Sequence, residues 1–166
     1  AKMAESVKAA AGGDDLQLVI MFPDVLAGNG AETVRGVLSK MGEHFPVVGG
    51  AAGDDFQFKK TYQYIDDRVL SGAVVGLGLA GDVKFGIGVK HGWIPIGVPM
   101  KVTRSEGSVL HELDGKPAIS VYEEHFGAET ANELREEALA KLAITYPLGM
   151  KVEGSEEILI RDPITV

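Results

Sequence analysis

From Ser71 to Pro95 the chain reads SGAVVGLGLAGDVKFGIGVKHGWIP, and side-chain size alternates through it with a period of two, twice in succession. Only an extended backbone puts every second side chain on one face, so the pattern predicts two β-strands. In the first, Ala73, Val75, Leu77 and Leu79 share one face and Val74, Gly76, Gly78 and Ala80 the other. In the second, Val83, Phe85, Ile87 and Val89 alternate with Lys84, Gly86, Gly88 and Lys90. Gly81-Asp82 fits a two-residue hairpin turn, which sets Phe85 opposite Gly78 and Ile87 opposite Gly76; one more loop residue pairs the bulky faces instead. The expectation is a central hairpin over residues 72–90. Glycine inside a strand costs packing and entropy. Two readings account for the four found here: large side chains or a helix from elsewhere fill the bare face, or a ligand approaches the backbone.

The rest of the chain can be placed around that hairpin. Residues 1–11 are Ala-rich and helical in propensity, and Gly12-Gly13-Asp14-Asp15 breaks them off. Leu16 to Phe22 is an apolar run expected of a strand covered on both faces, closed by Pro23. Asn29 caps a helix with Glu32 as its reciprocal partner, and Val34, Val37, Leu38 and Met41 form one face of it. Pro46-Val47-Val48 is the next strand, so residues 16–48 read as strand, helix, parallel strand. Lys59 to Ile65 alternates Tyr62 and Tyr64 with Thr61 and Gln63, turns at Asp66-Asp67 and returns through Val69 and Leu70. Met100–Arg104 and Ser108–Leu113 make a further pair, and Asp114-Gly115 is a turn. Pro117 opens a helix carrying Ile119, Tyr122 and Phe126, which Gly127 ends. Thr130 with Glu133 opens a second helix to about Thr145, with Leu134, Ala138 and Leu142 on one stripe, and Glu157 to Arg161 is a last strand. The fold class expected is mixed α/β (α+β): a mainly antiparallel sheet, an amino-terminal strand-helix-strand unit and two carboxy-terminal helices. A division near Pro95 to Pro99 separates two lobes.

Charge and composition narrow the function. The net charge of -8 over 166 residues, with no basic run, argues against nucleic acid or an anionic membrane surface as partner. Cysteine is absent, which excludes thiolate catalysis, disulfides and cysteine zinc sites and suits a reducing, cytoplasmic setting. No apolar run approaches the ~20 residues that span a bilayer. The 22 glycines, about twice the usual frequency, fit a protein rich in turns and close contacts. The chain begins in what reads as the end of a helix and stops in a strand-like Ile164-Thr165-Val166, so a piece of something larger is expected, with strand edges open to a second copy.

Two stretches carry candidate chemistry. Gly49-Gly50-Ala51-Ala52-Gly53-Asp54-Asp55 follows a strand at the place where an open α/β sheet presents a crevice, and its glycines let several amides face one point. It has neither the Lys-Ser/Thr ending of a P-loop nor a G-x-G-x-x-G, and a plain turn with two solvated aspartates explains it equally. His91-Gly92-Trp93-Ile94-Pro95 places an imidazole and an indole at the strand's end, where Trp93 is either a core aromatic or a ligand's apolar wall and His91 either structural or a ligand contact. No G-x-S-x-G elbow and no H-E-x-x-H is present, and His44, His91, His111 and His125 lack metal-ligand spacing, so neither cofactor nor metal is expected.

Together GGAAGDD at 49–55, SGAVVGLGL at 71–79, HGWIPIG at 91–97, VTRSEG, ELDGKPA, VY and YPLG, in that order, resemble the FIST sensory family. The resemblance covers most of the chain from about residue 46. It implies that residues 1–97 correspond to the end of an amino-terminal FIST lobe and 98–166 to the start of a carboxy-terminal one. It further implies a sensory domain of a bacterial signal-transduction protein that binds a small ligand, an amino acid or similar metabolite, beside an output module such as a histidine kinase or chemotaxis receptor. On that reading Gly49, Gly50, Asp54, Asp55, His91, Trp93 and Arg104 are the ligand-binding candidates: the aspartates meet ammonium or hydroxyl groups, Trp93 packs the apolar part and His91 exchanges a hydrogen bond. The alternatives are a small-molecule enzyme with Asp54 or Asp55 and His91 as base and orienter, and an oligomerisation scaffold such as a homodimer built on strand edges.

Overall fold

A computed structural model of the chain describes residues 1–12, 15–55, 57–127, 142, 145–152, 154 and 157–163. The architecture is mixed α/β, in two compact units, Ala1–Lys90 and His91–Val166. The division falls at the start of the aromatic corner rather than at Pro95–Pro99.

The first unit is built on α1 (Lys2–Ala10), β1 (Leu16–Pro23), α2 (Gly30–Met41), β2 (Val47–Gly49), β3 (Gln63–Ile65), β4 (Arg68–Leu70) and β5 (Val74–Ala80). The sheet order is β2-β1-β5, with β1 parallel to β2 and antiparallel to β5. The strand-helix-strand reading of residues 16–48 therefore holds. Asn29 caps α2, its Oδ1 accepting from the amides of Ala31 at 2.9 Å and Glu32 at 3.3 Å. The reciprocal half of the capping box does not form, because the Glu32 carboxylate pairs with Arg35 one turn on.

Period-two alternation sends Val19 and Met21 of β1 to one face, where they meet Ala4 and Val7 of α1 and Val37 of α2 in the core, with Val34, Met41, Val47 and Val74 around them. Gly78 lies opposite Val19 and Gly76 opposite Met21, on the same face. A Cβ on Gly76 would stand 2.2 Å from Met3 Sδ, and one on Gly78 would stand 2.6 Å from Val7 Cγ1 and 2.7 Å from Leu16 Cδ2. These two glycines are bare so that α1 can lie on the strand. A Lys40–Glu5 ion pair at 2.8 Å ties α2 to α1. The other sheet face is only partly covered: Leu18 is buried, but Phe22 is 46% and Leu77 55% exposed, so β1 is not enclosed on both sides as its apolar run suggested.

The central hairpin is corrected by the structure. β5 forms as expected, but residues 83–90 take no strand partner, and Phe85, Ile87 and Val89 are exposed. Gly76 and Gly78 therefore face β1 and α1 rather than Ile87 and Phe85. Alternation specifies extended backbone, but pairing needs a complementary edge as well.

The second unit holds β6 (Val102–Glu106), β7 (Val109–Leu113), β8 (Lys116–Pro117), α3 (Ser120–Phe126), β9 (Leu148–Lys151) and β10 (Ile158–Arg161), with sheets β6-β7-β8 and β9-β10, both antiparallel. Gly107 and the Asp114-Gly115 pair turn the chain with positive φ, the latter as its sequence implied. Tyr122 is buried among Ile119, Val121, Phe126, Leu142 and Leu148, and its hydroxyl donates to the Tyr146 carbonyl at 2.9 Å. Burial, helped by the Asp162 carboxylate, pushes that hydroxyl up to about 12. The helix expected from Thr130 to Thr145, the glycine-aspartate break at 13–14 and the strand-like residues 164–166 fall largely or wholly outside the described residues.

The contact of α1 with β5 predicts an asymmetry between glycines. Gly78→Val overpacks Val7 and Leu16 and lowers stability by about 1–3 kcal/mol despite valine's better strand propensity. Gly86→Val, with nothing within 4 Å of the new Cβ, changes it by less than about 0.5 kcal/mol. Urea unfolding of the two variants reads the difference.

Candidate functional site

β1 and β2 run parallel, and their pairing ends at Met21 and Gly49. Beyond them the chain after β2 stays on the end of β1, with Gly50 N–H donating to Met21 O and Ala52 N–H to Pro23 O, both at 3.3 Å. The close approach explains Gly49, since a Cβ there would fall 1.9 Å from the Met21 carbonyl oxygen. A hollow of about 290 Å³ opens at this end, bordered by Phe22, Gly50, Ala51, Ala52, Tyr62, Gln63, Tyr64 and Val75. Its place outside the carboxyl ends of a parallel pair is where α/β sheets hold ligands.

Asp24, one residue past β1, organises what lies behind the hollow. Its side chain is buried, Oδ1 accepting from Leu26 N–H at 3.0 Å and Oδ2 from Gly72 N–H at 2.8 Å. Burial alone would raise its pKa. Donation from the Gly72 amide, the Thr61 hydroxyl and the amides of Leu26 and Ala27 outweighs this and holds the carboxyl below the usual range. Thr61 in turn accepts from Gln63 Nε2 at 3.1 Å. Thr61 and Gln63, so bonded, lie buried beside Asp24, 1% and 3% exposed. Tyr62, by contrast, is 49% and Tyr64 69% exposed, so this strand buries its polar side and shows its aromatic side. A second hollow, of about 270 Å³, borders Asp24 on another side, with Lys59, Lys60, Ser71 and Gly72.

Of the candidates singled out in the sequence, Gly50 borders the first hollow. Asp54 has its carboxylate engaged by its own loop: Oδ1 accepts from Phe58 N–H at 2.9 Å and Oδ2 from Lys59 at 2.7 Å and Lys60 at 3.0 Å. The Lys59 and Lys60 amides first, then those of Phe58 and Gln57, hold it below its ordinary value. This clamp accompanies left-handed backbone at Asp55 (φ 55°) and Phe58 (φ 52°), conformations that side chains other than glycine adopt only when their surroundings impose them. Asp55 itself is exposed.

His91, Trp93 and Arg104 belong to the second unit. His91 Nδ1 accepts from Trp93 N–H at 3.2 Å, which leaves Nε2 as the donor to the Ile158 carbonyl at 2.8 Å. Trp93 is 43% exposed, and Arg104 Nε pairs with Glu112 across the β6–β7 ladder at 3.1 Å. Among the described residues no group of three His, Asp or Glu side chains could hold a metal ion, and no helix is long and apolar enough to cross a membrane.

Sequence reasoning missed Asp24, Thr61 and Gln63. The available signals were an acidic residue just past the carboxyl end of a buried strand, and an alternation that put two polar residues opposite two tyrosines.

Asp24→Ala leaves the Gly72 and Leu26 amides without their acceptor and lowers stability by about 1–3 kcal/mol at neutral pH. Because the carboxyl is lowered in the folded state, its contribution is complete above the unfolded value of ~3.9 and is lost as pH falls through the lower folded value. Asp24→Asn therefore starts less stable and loses less on acidification below about pH 4 than the parent chain, in urea titrations at stepped pH.

The sequence profile of the FIST N domain matches residues 1–116. A 77-residue segment, 46% of this chain, is 39% identical to a protein of Methanocaldococcus jannaschii described as uncharacterized, and it spans 15% of that relative's length. No solved structure matches the chain. With the profile covering the whole first unit and β6–β7 of the second, the chain belongs to the FIST N domain family, sensory domains of signal-transduction proteins.

Proposed function

We propose that the chain binds a small metabolite, an amino acid or a close relative, in the hollow at the carboxyl ends of β1 and β2, and serves as the sensory part of a cytoplasmic signalling protein. The observation that carries this reading is the hollow's composition and place. Phe22, Tyr62 and Tyr64 supply aromatic surface, Gly50–Ala52 supply backbone with small side chains, and the parallel strand ends point toward it. At about 290 Å³ the space sits at the low end of ligand pockets, which run from ~300 to ~1,000 Å³, and so suits a molecule the size of an amino acid. Asp54 acts here through the loop it clamps, between Ala52 and Tyr62, rather than by direct contact. Family membership supports the sensory role. An output module such as a histidine kinase or chemotaxis receptor is the partner this role implies.

A ligand that binds only the folded state raises stability by about 2.7 kcal/mol at a hundredfold excess over Kd, within reach of a thermal-melting screen. Among amino acids and related metabolites, at least one stabilises the parent chain. Ala52→Trp, which fills the hollow, abolishes that shift, and Trp93→Ala leaves it intact. A shift that survives Ala52→Trp and disappears in Trp93→Ala moves the site to the aromatic corner. A screen with no hit removes the sensory reading.

A further inference from the structure

Residues 82–90, DVKFGIGVK, carry the alternation of a strand and have no strand to pair with. None of them has a positive φ, and β5, just before them, is the outermost strand of its sheet, yet the segment does not add to it. Phe85 is 41%, Ile87 51% and Val89 91% exposed. Large apolar side chains at every second position, all open to water, mark a surface that a partner covers. The glycines between them point the same way. A Cβ built on Gly86 or Gly88 meets no atom within 4 Å, so nothing inside the unit accounts for them as α1 accounts for Gly76 and Gly78.

The segment complements itself. In an antiparallel pair, opposite residues share a face, and when two copies are centred on Gly86, Val83 meets Val89, Phe85 meets Ile87, Lys84 meets Gly88 and Asp82 meets Lys90. The large apolar side chains of both copies then stand on one face, the glycines let the backbones meet on the other, and an Asp82–Lys90 ion pair closes each end. Other registers lose this. A pair centred on Ile87 sets Lys84 against Lys90, one centred on Phe85 leaves Asp82 opposite Gly88 and Lys90 opposite Ala80 of β5, and a shift by an odd number of residues sets large side chains against glycines and lysines. We infer that the chain forms a twofold homodimer in which residues 82–90 of two copies pair antiparallel about Gly86, so that a second copy of this chain covers the exposed apolar segment.

The chain has no cysteine, so a single introduced thiol reports the register. At the twofold axis the two Gly86 positions are neighbours, with Cβ atoms ~5 Å apart, whereas the two Gly88 positions, each opposite Lys84, stand ~13 Å apart along the ribbon. Under a mild oxidant Gly86→Cys closes a covalent dimer about tenfold faster than Gly88→Cys, or more. In sedimentation equilibrium the mass of the full chain rises with concentration from 17.6 kDa toward twice that value. Asp82→Lys sets like charges against each other at both ends of the ribbon and weakens association by about tenfold, and adding Lys90→Asp restores it. A mass that stays at 17.6 kDa at every concentration overturns the inference. So does a dimer that Asp82→Lys leaves unchanged, or one in which Gly88→Cys cross-links as fast as Gly86→Cys.

Discussion

The carboxylate of Asp24 is the point on which the first unit's functional end depends. A buried charge is tolerated only when donors surround it, and here the amides of Leu26, just beyond it, and Gly72, at the approach to β5, bond the carboxylate, while the Thr61 hydroxyl before β3 helps hold it ionised. Satisfying one ion therefore pins the end of β1, the start of β5 and the strand that walls the hollow. The Asp24 amide adds a bond to the Ala73 carbonyl at 2.9 Å, so backbone and side chain hold the same junction. Replacing any one donor leaves the charge less compensated, and the loss is shared by every element that the carboxylate joins.

The parts of the fold legible in the sequence were those set by local pattern. The apolar run at Leu16–Phe22, the Asn29 cap and the positive-φ turns at Gly107 and Asp114-Gly115 each follow from a few adjacent residues. Pairing was less legible, because it depends on distant partners. The bare face of β5 illustrates both halves. Its glycines announced a close approach, and of the two readings open from sequence, the helix is the one found: Met3 and Val7 of α1 occupy the space. Nothing near Gly76 or Gly78 in sequence identifies those residues, which lie at the far end of the unit. The companion glycines Gly86 and Gly88 have open space around them, so one composition covers two physical situations.

The loop after β2 is legible from the rule that strand ends form crevices, and Gly50 borders the hollow. The charge of Asp54 is visible in the sequence, yet it is answered by three amides of its own loop. A charge seen in a glycine-rich loop says nothing about whether the backbone has already claimed it. The tautomer of His91 is fixed by two backbone partners inside the second unit, which no sequence pattern around it discloses.

The extended segment from Thr61 to Tyr64, which leads into β3, shows how the ion bears on the wall of the hollow. Burying tyrosines and exposing threonine and glutamine would remove more apolar surface from water, and hydrophobic burial alone favours that arrangement. The observed strand is the opposite, with Thr61 and Gln63 inside and Tyr62 and Tyr64 outside. Because side chains alternate with a period of two, one interior position decides all the others. Thr61 faces inward beside the Asp24 carboxylate, which its hydroxyl helps to hold ionised. Gln63 must then follow to the interior, and the two tyrosines are turned out to line the hollow. The aromatic wall of the hollow and the buried Thr61–Gln63 pair are thus two faces of one alternation, set where Thr61 meets Asp24.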